Sequence, residues 1–413
     1  ISCWVTYYPS GLVSTCLILT LFTMTSWIEH TSFADDVSPV TSIEYDNYYD
    51  LIWHGHANGR LSSYTFSDET HYFDTNDVEE QYFAPPPNLM RFSSLRIVPD
   101  AIAQVLPNQT AVVAVSGSRI RMLTHGGSGL GTWNINHCPN PRMIHGAVNM
   151  LSHADSAFTC ADFIRDPTVP RTSCAGMATS LIAGTSTVGA YLFDLSQGVD
   201  SPVMVYNVTQ PTVKIQSNGH VIVAASHDGC LRILDGKFRS TEVTKLIEAH
   251  TGSITDVCMQ GDGRTLITCG TSKRAINPYD PKSPFHYGTD LQIRVFDLRM
   301  HRMLSPLPVP SPSTSATGVS CLRLIPQVDT NPVEFSSLLM CTADGIVQVS
   351  SLTAQASDSD AHQMLYAPFS DSSELITAAA VSPSGQYLSV GTSGGAVGQY
   401  IKPSITAMET FYH

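Results

Sequence analysis

A chain of 413 residues is long enough for two or three ordinary domains or for one array of repeats. Only 14% of its residues are charged against 43% hydrophobic, with 28 Gly and 25 Pro, which excludes a body of long solvated helices and favours many short buried strands joined by tight turns. The net charge of -13 repels phosphate backbones over the surface as a whole and leaves room only for a local basic patch.

The chain begins with Ile, and its first apolar stretch, Leu12 to Met24, is too short to span a bilayer and has no Lys or Arg ahead of it. A secretory leader needs that basic segment, so residues 1–44 are expected to be an N-terminal extension outside the fold, or at most its closing strand, with Met24 as a plausible start. Asn108-Gln-Thr110 and Asn207-Val-Thr209 match the glycosylation sequon, a pattern short enough to arise by chance. The ten cysteines contain no CxxC pair. Cys230, Cys258, Cys269, Cys321 and Cys341 lie in apolar strand-like runs, so the thiols are expected to be buried and reduced, as in the cytosol or nucleus.

From residue 45 to 402 one unit recurs: an apolar strand, a turn of small residues that tolerate positive φ, and a second strand. The hairpins fall at 51–66, 111–123, 180–195, 220–235, 265–298 with an interruption, 337–352 and 387–401. Further strand candidates lie ahead of three of them, at 253–264, 319–327 and 376–386. One more strand per unit makes a small antiparallel sheet whose edges need cover, and seven such sheets cover one another when packed radially. The expected architecture is an all-β, seven-bladed WD-repeat propeller over 45–402, followed by the start of a linker at 403–413. The acidic, aromatic stretch 68–84 with Pro85-Pro86-Pro87, Cys138–Arg171, Ala275–Asp290, Ser305–Gly318 and Ala354–His362 read as insertions.

The fifth unit carries the strongest motif. In WD repeats a His ahead of the blade, a Ser or Thr in its second strand, a Trp in its third and an Asp in a tight turn form a buried hydrogen-bond chain. His250 and Thr268 occupy two of those places, while Phe296, followed by Asp297, replaces the Trp and offers no indole N–H. In the fourth unit Asp228-Gly229 is the tight-turn pair. His250 therefore reads as structural, since no nucleophile or paired carboxylate accompanies it. His227 beside Asp228, and His54 with His56 on one strand face, supply too few ligands for a metal site. The chain carries no P-loop, dinucleotide-binding glycine fingerprint, GxSxG elbow or HExxH helix, and hence no catalytic constellation.

Several segments together are similar to the WD-repeat region of the catalytic subunit of the poly(A)-nuclease deadenylation complex: 51–64, 224–235, 248–256, 266–274, and above all VFDLRMHRMLSPLPV at 295–309 followed by LRLIPQ at 322–327. The resemblance covers about 45–402 and is weakest over 67–175. It implies a cytoplasmic 3′ exoribonuclease, found in processing bodies, that shortens mRNA poly(A) tails with a pseudokinase partner subunit. In that family the propeller precedes a partner-binding linker, an inactive ubiquitin-hydrolase-like domain and a nuclease domain using divalent metal ions. None of those later parts is seen here, so no catalytic residue, cofactor or metal is carried over, and the implied role is that of a non-catalytic scaffold near poly(A) RNA and its binding protein.

Lys273, Arg274, Arg299 and Arg302 could form a basic patch on the fifth blade for RNA phosphate or an acidic partner, against the plainer reading of solvated surface. Two other functions remain open. A WD-repeat adaptor of ubiquitin ligation or trafficking would share the fold alone. A secreted or membrane-associated propeller enzyme would show disulfides and glycosylation at Asn108.

Overall fold

The computed structural model describes residues 28–65 (without 35, 47, 48 and 50), 91–96, 100–138, 156–164, 180–195, 202–236, 241–275 (without 262), 285–308 (without 291 and 305), 319–325, 337–349 (without 343 and 344), 362–365 and 374–401. The apolar stretch 12–24, the acidic stretch 68–84 and the expected linker 403–413 lie outside them.

The described strands form seven antiparallel sheets of at least four strands each. The seven expected hairpins supply the second and third strands of the seven blades in order. Each blade adds an inner strand before its hairpin: Val40–Asp46, Ile102–Pro107, Phe158–Ile164, Thr212–Asn218, Ile254–Met259, Val319–Leu324 and Ile376–Val381. Each inner strand packs on the next, and the seventh packs on the first, so the ring closes. Phe158–Ile164 lies within the stretch read as an insertion at Cys138–Arg171; that reading is corrected, because ring closure needs an inner strand that a hairpin search does not find.

Two strands begin before residue 45. Ile28–Ala34 pairs with Ala396–Ile401 as the outer strand of blade seven, and Val40–Asp46 is the inner strand of blade one. The propeller thus begins inside the stretch assigned to the N-terminal extension, and the two ends of the chain meet in one sheet. The insertion at Ala275–Asp290 continues the second strand of blade five to Ala275 and pairs it with Phe285–Thr289, a hairpin arm off the blade.

The second strands are buried on both faces, which a half-buried alternating strand would not be. In Val221–Ser226, Ile222 and Ala224 join the cluster shared with blade three, whereas Val223 and Ala225 join the cluster shared with blade five. The period of two distributes side chains between neighbouring blades rather than between core and solvent, so the strand reads VIVAAS without polar alternation. Seven apolar clusters result, one at each junction between adjacent blades.

Each inner strand also carries a β-bulge at its second residue: Thr41, Ala103, Thr159, Val213, Thr255, Ser320 and Thr377. A bulge turns a backbone group out of the ladder and leaves it to be satisfied elsewhere. At four junctions the bulged Thr donates its hydroxyl to the next blade, to the carbonyl just before that blade's own bulge: Thr41 to Ile102, Thr159 to Thr212 at 2.6 Å, Thr255 to Val319 at 3.1 Å, and Thr377 to Val40. Ser320 instead donates within its own blade, to the Cys341 carbonyl at 3.1 Å.

Candidate functional site

His250 enters blade five ahead of its inner strand and is buried. Its Nδ1 lies 2.9 Å from Asp290 Oδ2 and its Nε2 lies 2.9 Å from Thr268 Oγ1. A carboxylate can only accept, so Nδ1 carries the proton and Nε2 accepts from the Thr268 hydroxyl. Burial holds the His250 pKa below its ordinary value, against the pull of Asp290 in the other direction. A neutral imidazole with both nitrogens engaged is a fixed brace.

The carboxylate of this network is Asp290, which the sequence reading missed. Asp297, expected there, instead ends the third strand: Oδ1 accepts from the Arg299 and Met300 amides at 2.9 and 3.2 Å, and Oδ2 receives the Arg299 guanidinium at 3.3 Å. Phe296 packs into the cluster between blades four and five. Asp290 also receives Nε and Nη2 of Arg294, at 3.3 and 3.1 Å. Blade four repeats this pair. Asp228 takes Arg232 in a two-pronged contact at 3.0 and 2.6 Å, and although burial pushes the Asp228 carboxyl up, that guanidinium holds it below the usual carboxylate range. An Asp four residues before an Arg recurs at 228–232 and 290–294 and could have pointed to Asp290, but the arm inserted before it displaced it from the spacing of an ordinary turn.

Gly229 makes that blade-four turn possible. Its φ is 80°, and a Cβ there would lie 2.1 Å from the His250 carbonyl oxygen, so the turn of blade four and the entry of blade five touch backbone to backbone.

A cavity of about 420 Å³ runs along the inner strands, with contributions from all seven blades. Asp256 of blade five lies on it and is buried. Its Oδ2 accepts from the Leu322 amide at 2.9 Å and from Arg323 Nη1 at 3.0 Å, while Lys214 Nζ stands 3.8 Å from Oδ1. Arg323 Nε donates to the Ala379 carbonyl at 2.7 Å. Blades four, five, six and seven are thereby joined through one carboxylate and two cations. Asp256, Arg323 and Lys214 are spent on one another; the sequence marked the strands that hold Asp256 and Arg323, but none of the three charges was read as a site residue.

The four basic residues proposed as one patch do not come together. Thr265 pairs with Asp297 at one end of the second strand of blade five, and Arg302 also pairs with Asp297. Lys273 and Arg274 lie on the arm beyond the other end, opposite Tyr287 and His286. Eight residues of strand from Thr265 to Lys273 span roughly 26 Å. Arg299 and Arg302 therefore sit on one face of the propeller and Lys273 and Arg274 on the other.

His54 and His56 are buried within blade one; His54 packs on Phe33 and Tyr64, and His56 Nδ1 lies 3.2 Å from the Ser38 carbonyl. His227 Nδ1 lies 3.0 Å from Ser253 Oγ. Among the described residues no group of three or more His, Cys, Asp or Glu is placed to hold a metal ion. The seven described cysteines are free thiols, six of them buried and Cys230 half-buried. Burial pushes Cys160 up to about 11 and Cys138 up to about 12, which leaves almost no thiolate at neutral pH. Asn108 is buried, and its Oδ1 caps the turn by accepting from the Thr110 and Ala111 amides, so this sequon is closed to a glycan in the folded chain. No helix among the described residues is long and apolar enough to cross a membrane.

Seven bulged sheets in a closed ring, with the His–Thr–Asp brace in one of them, define a WD-repeat β-propeller. The family described as WD domain, G-beta repeat matches residues 241–276, the stretch holding His250 and Thr268.

The particular likeness is to deadenylase subunits. The chain is 24% identical over 293 residues, 70% of its length and 22% of the relative's, to the PAN2-PAN3 deadenylation complex catalytic subunit PAN2 of Scheffersomyces stipitis. It is 25% identical over 296 residues, 70% of its length and 19% of the relative's, to the corresponding subunit of Aspergillus terreus. The solved Neurospora crassa Pan2 WD40 domain superposes with a TM-score of 0.64 at 17% identity, covering 92% of this chain and 97% of that one. The resemblance seen in the 295–309 run thus extends over most of the propeller, while the chain spans about a fifth of the length of the curated relatives it matches.

Proposed function

We propose that this propeller is a non-catalytic scaffold of a deadenylation complex, which supports poly(A)-tail shortening by holding a pseudokinase partner subunit and the poly(A) ribonucleoprotein near a nuclease. The observation that carries this reading is the similarity to PAN2 subunits over 70% of the chain, in a fold where His250 braces blade five and Asp256, Arg323 and Lys214 tie neighbouring blades together. A brace with a neutral His and a channel in which Asp256 pairs with Arg323 and Lys214 favour presenting a rigid surface over chemistry. The reading places the protein in the cytoplasm and its processing bodies. In it the arm carrying Lys273, Arg274 and the exposed Tyr287 is the surface for RNA or its bound protein, since a cation beside an exposed ring suits a stacked, charged ligand.

The test is co-purification of the chain with the PAN3-like subunit of the same organism, together with tail shortening by the full-length protein with and without the propeller. Joint purification and slower shortening of protein-coated poly(A) without the propeller are expected. Unchanged shortening, or a propeller that instead purifies with ubiquitin-ligase or vesicle-coat subunits, would overturn the reading.

A further inference from the structure

The turn that closes blade five, on the face opposite the arm, combines two features that are rare on this molecule. Met300, Met303 and Leu304 are exposed by 61%, 46% and 37%, so three of the ten large apolar side chains exposed among the described residues lie within five positions. Between and beside them stand Arg299 and Arg302, both exposed, in a chain of net charge -13. Arg264, also exposed, joins the same end, its carbonyl accepting from the Leu298 amide at 2.7 Å.

The three apolar side chains and both guanidiniums stay open to solvent. The carboxylate bonded to Arg299 is Asp297 of the same turn, and among the described residues no hydrogen bond or ion pair engages the Arg302 side chain. Arg294 Nη1 lies 3.7 Å from Met303 Sδ and steadies that side chain while leaving it open to solvent. Contiguous exposed methionines mark surfaces that adapt to a partner, and basic residues among them select its charge.

We propose that this turn is a docking site for an acidic peptide segment bearing bulky apolar side chains. Charge complementarity commits the choice: two guanidiniums flank the apolar surface, so the partner must carry carboxylates on either side of its apolar anchors. Strand addition is disfavoured, because the outer strand here is broken into Arg302–Met303 and Leu307–Pro308 and is interrupted by proline. Recognition therefore runs through side chains. Methionine offers no flat ring on which a base could stack, which sets the site apart from a single-stranded RNA groove. The inference stands on this surface alone and does not depend on the deadenylation reading.

The experiment measures fluorescence anisotropy of a labelled peptide of about twelve residues alternating Asp or Glu with Phe or Leu, titrated with the full chain at low salt. Controls are the same peptide with Asn and Gln for the acids, the same peptide with Ser for the apolar residues, oligo(A), and phosphatidylserine vesicles. The first peptide is expected to bind about tenfold or more tightly than either control peptide. Arg299→Ala with Arg302→Ala, and separately Met300→Ser with Met303→Ser, should each weaken it by about tenfold with the melting midpoint unchanged, because all four side chains are exposed. Equal binding of all three peptides, indifference to both variant pairs, or a preference of this turn for oligo(A) or vesicles would overturn the proposal.

Discussion

Arg323 and Asp256, 67 residues apart in the chain, meet at 3.0 Å on the wall of the axial channel. Through them the inner strands of three blades share one set of hydrogen bonds, to the Leu322 amide on one side and the Ala379 carbonyl on the other. Inner strands of neighbouring blades do not form a ladder with each other, so their outward backbone groups need partners of this kind.

Asp256→Ala should therefore be among the costly single changes in the channel. It strands Arg323 and Lys214 without their carboxylate and leaves the Leu322 amide unmet. Because Arg323 keeps 25% of its side chain exposed, water offsets part of the loss, and a cost of about 2–3 kcal/mol is expected in urea unfolding. A double cycle of Asp256→Asn with Arg323→Met should show a coupling of about 1 kcal/mol or more; strict additivity would remove the pair from the account of ring closure.

The brace at His250 makes stability depend on pH in a defined direction. Burial depresses the folded-state pKa below the ordinary 6.5, so between the two values the unfolded chain binds more protons than the folded one. The contribution is intact above about 6.5 and is lost as the pH falls toward the folded-state value. His250→Phe should cost about 2 kcal/mol at neutral pH by removing the partner of the Thr268 hydroxyl and one of the donors to Asp290, which keeps Arg294, and should flatten the decline below pH 6.5. Denaturation midpoints of both proteins across that range check this.

Thr377→Val removes the hydroxyl that reaches from blade seven to Val40 of blade one, with little change of shape. A loss of about 1 kcal/mol is expected. The repeat also predicts the converse. Val213 stands at the same bulge of blade four; if the repeat holds there, a Thr hydroxyl at 213 reaches the Ile254 carbonyl of blade five, which already accepts from Ser253 Oγ at 3.1 Å, so Val213→Thr should add a second hydrogen bond and raise stability by about 0.5–1 kcal/mol. A destabilised Val213→Thr protein would show that the hydroxyl ring does not extend to that junction.

Thiol accessibility follows from burial. Among the seven described cysteines Cys230 alone is half-buried, and it should react first with a disulfide reagent under native conditions, slowly, because burial raises its own pKa too. Cys258, Cys269, Cys321 and Cys341 should be labelled only on unfolding, as mass spectrometry of timed aliquots would show. Native labelling of Cys269 ahead of Cys230 would contradict the burial described.

The hairpins were legible because a turn such as Asp228-Gly229 and the short apolar runs beside it are local features that need no long-range partner to be seen. His250 and Thr268 were legible for the same reason, standing at repeat-defined places in blade five. Asp290 was not, since the arm at Ala275–Thr289 moved it away from its turn, and only the folded strand shows that it faces the imidazole. Nor was the separation of Arg299 and Arg302 from Lys273 and Arg274, because proximity in sequence hides that a strand carries its two ends to opposite faces.

By itself the chain's order of apolar runs and turn residues determined that small antiparallel sheets would form, how many, and in what sequence, because those preferences are settled over ten or so residues at a time. Tertiary structure alone decided that Ile28–Ala34 is the strand of the N-terminal stretch that closes blade seven, which carboxylate completes the brace and where the charges of the inner strands find partners. Each of those depends on closing a ring whose contacts join residues hundreds of positions apart, as Thr377 and Val40 do, and no local pattern encodes a partner at that distance.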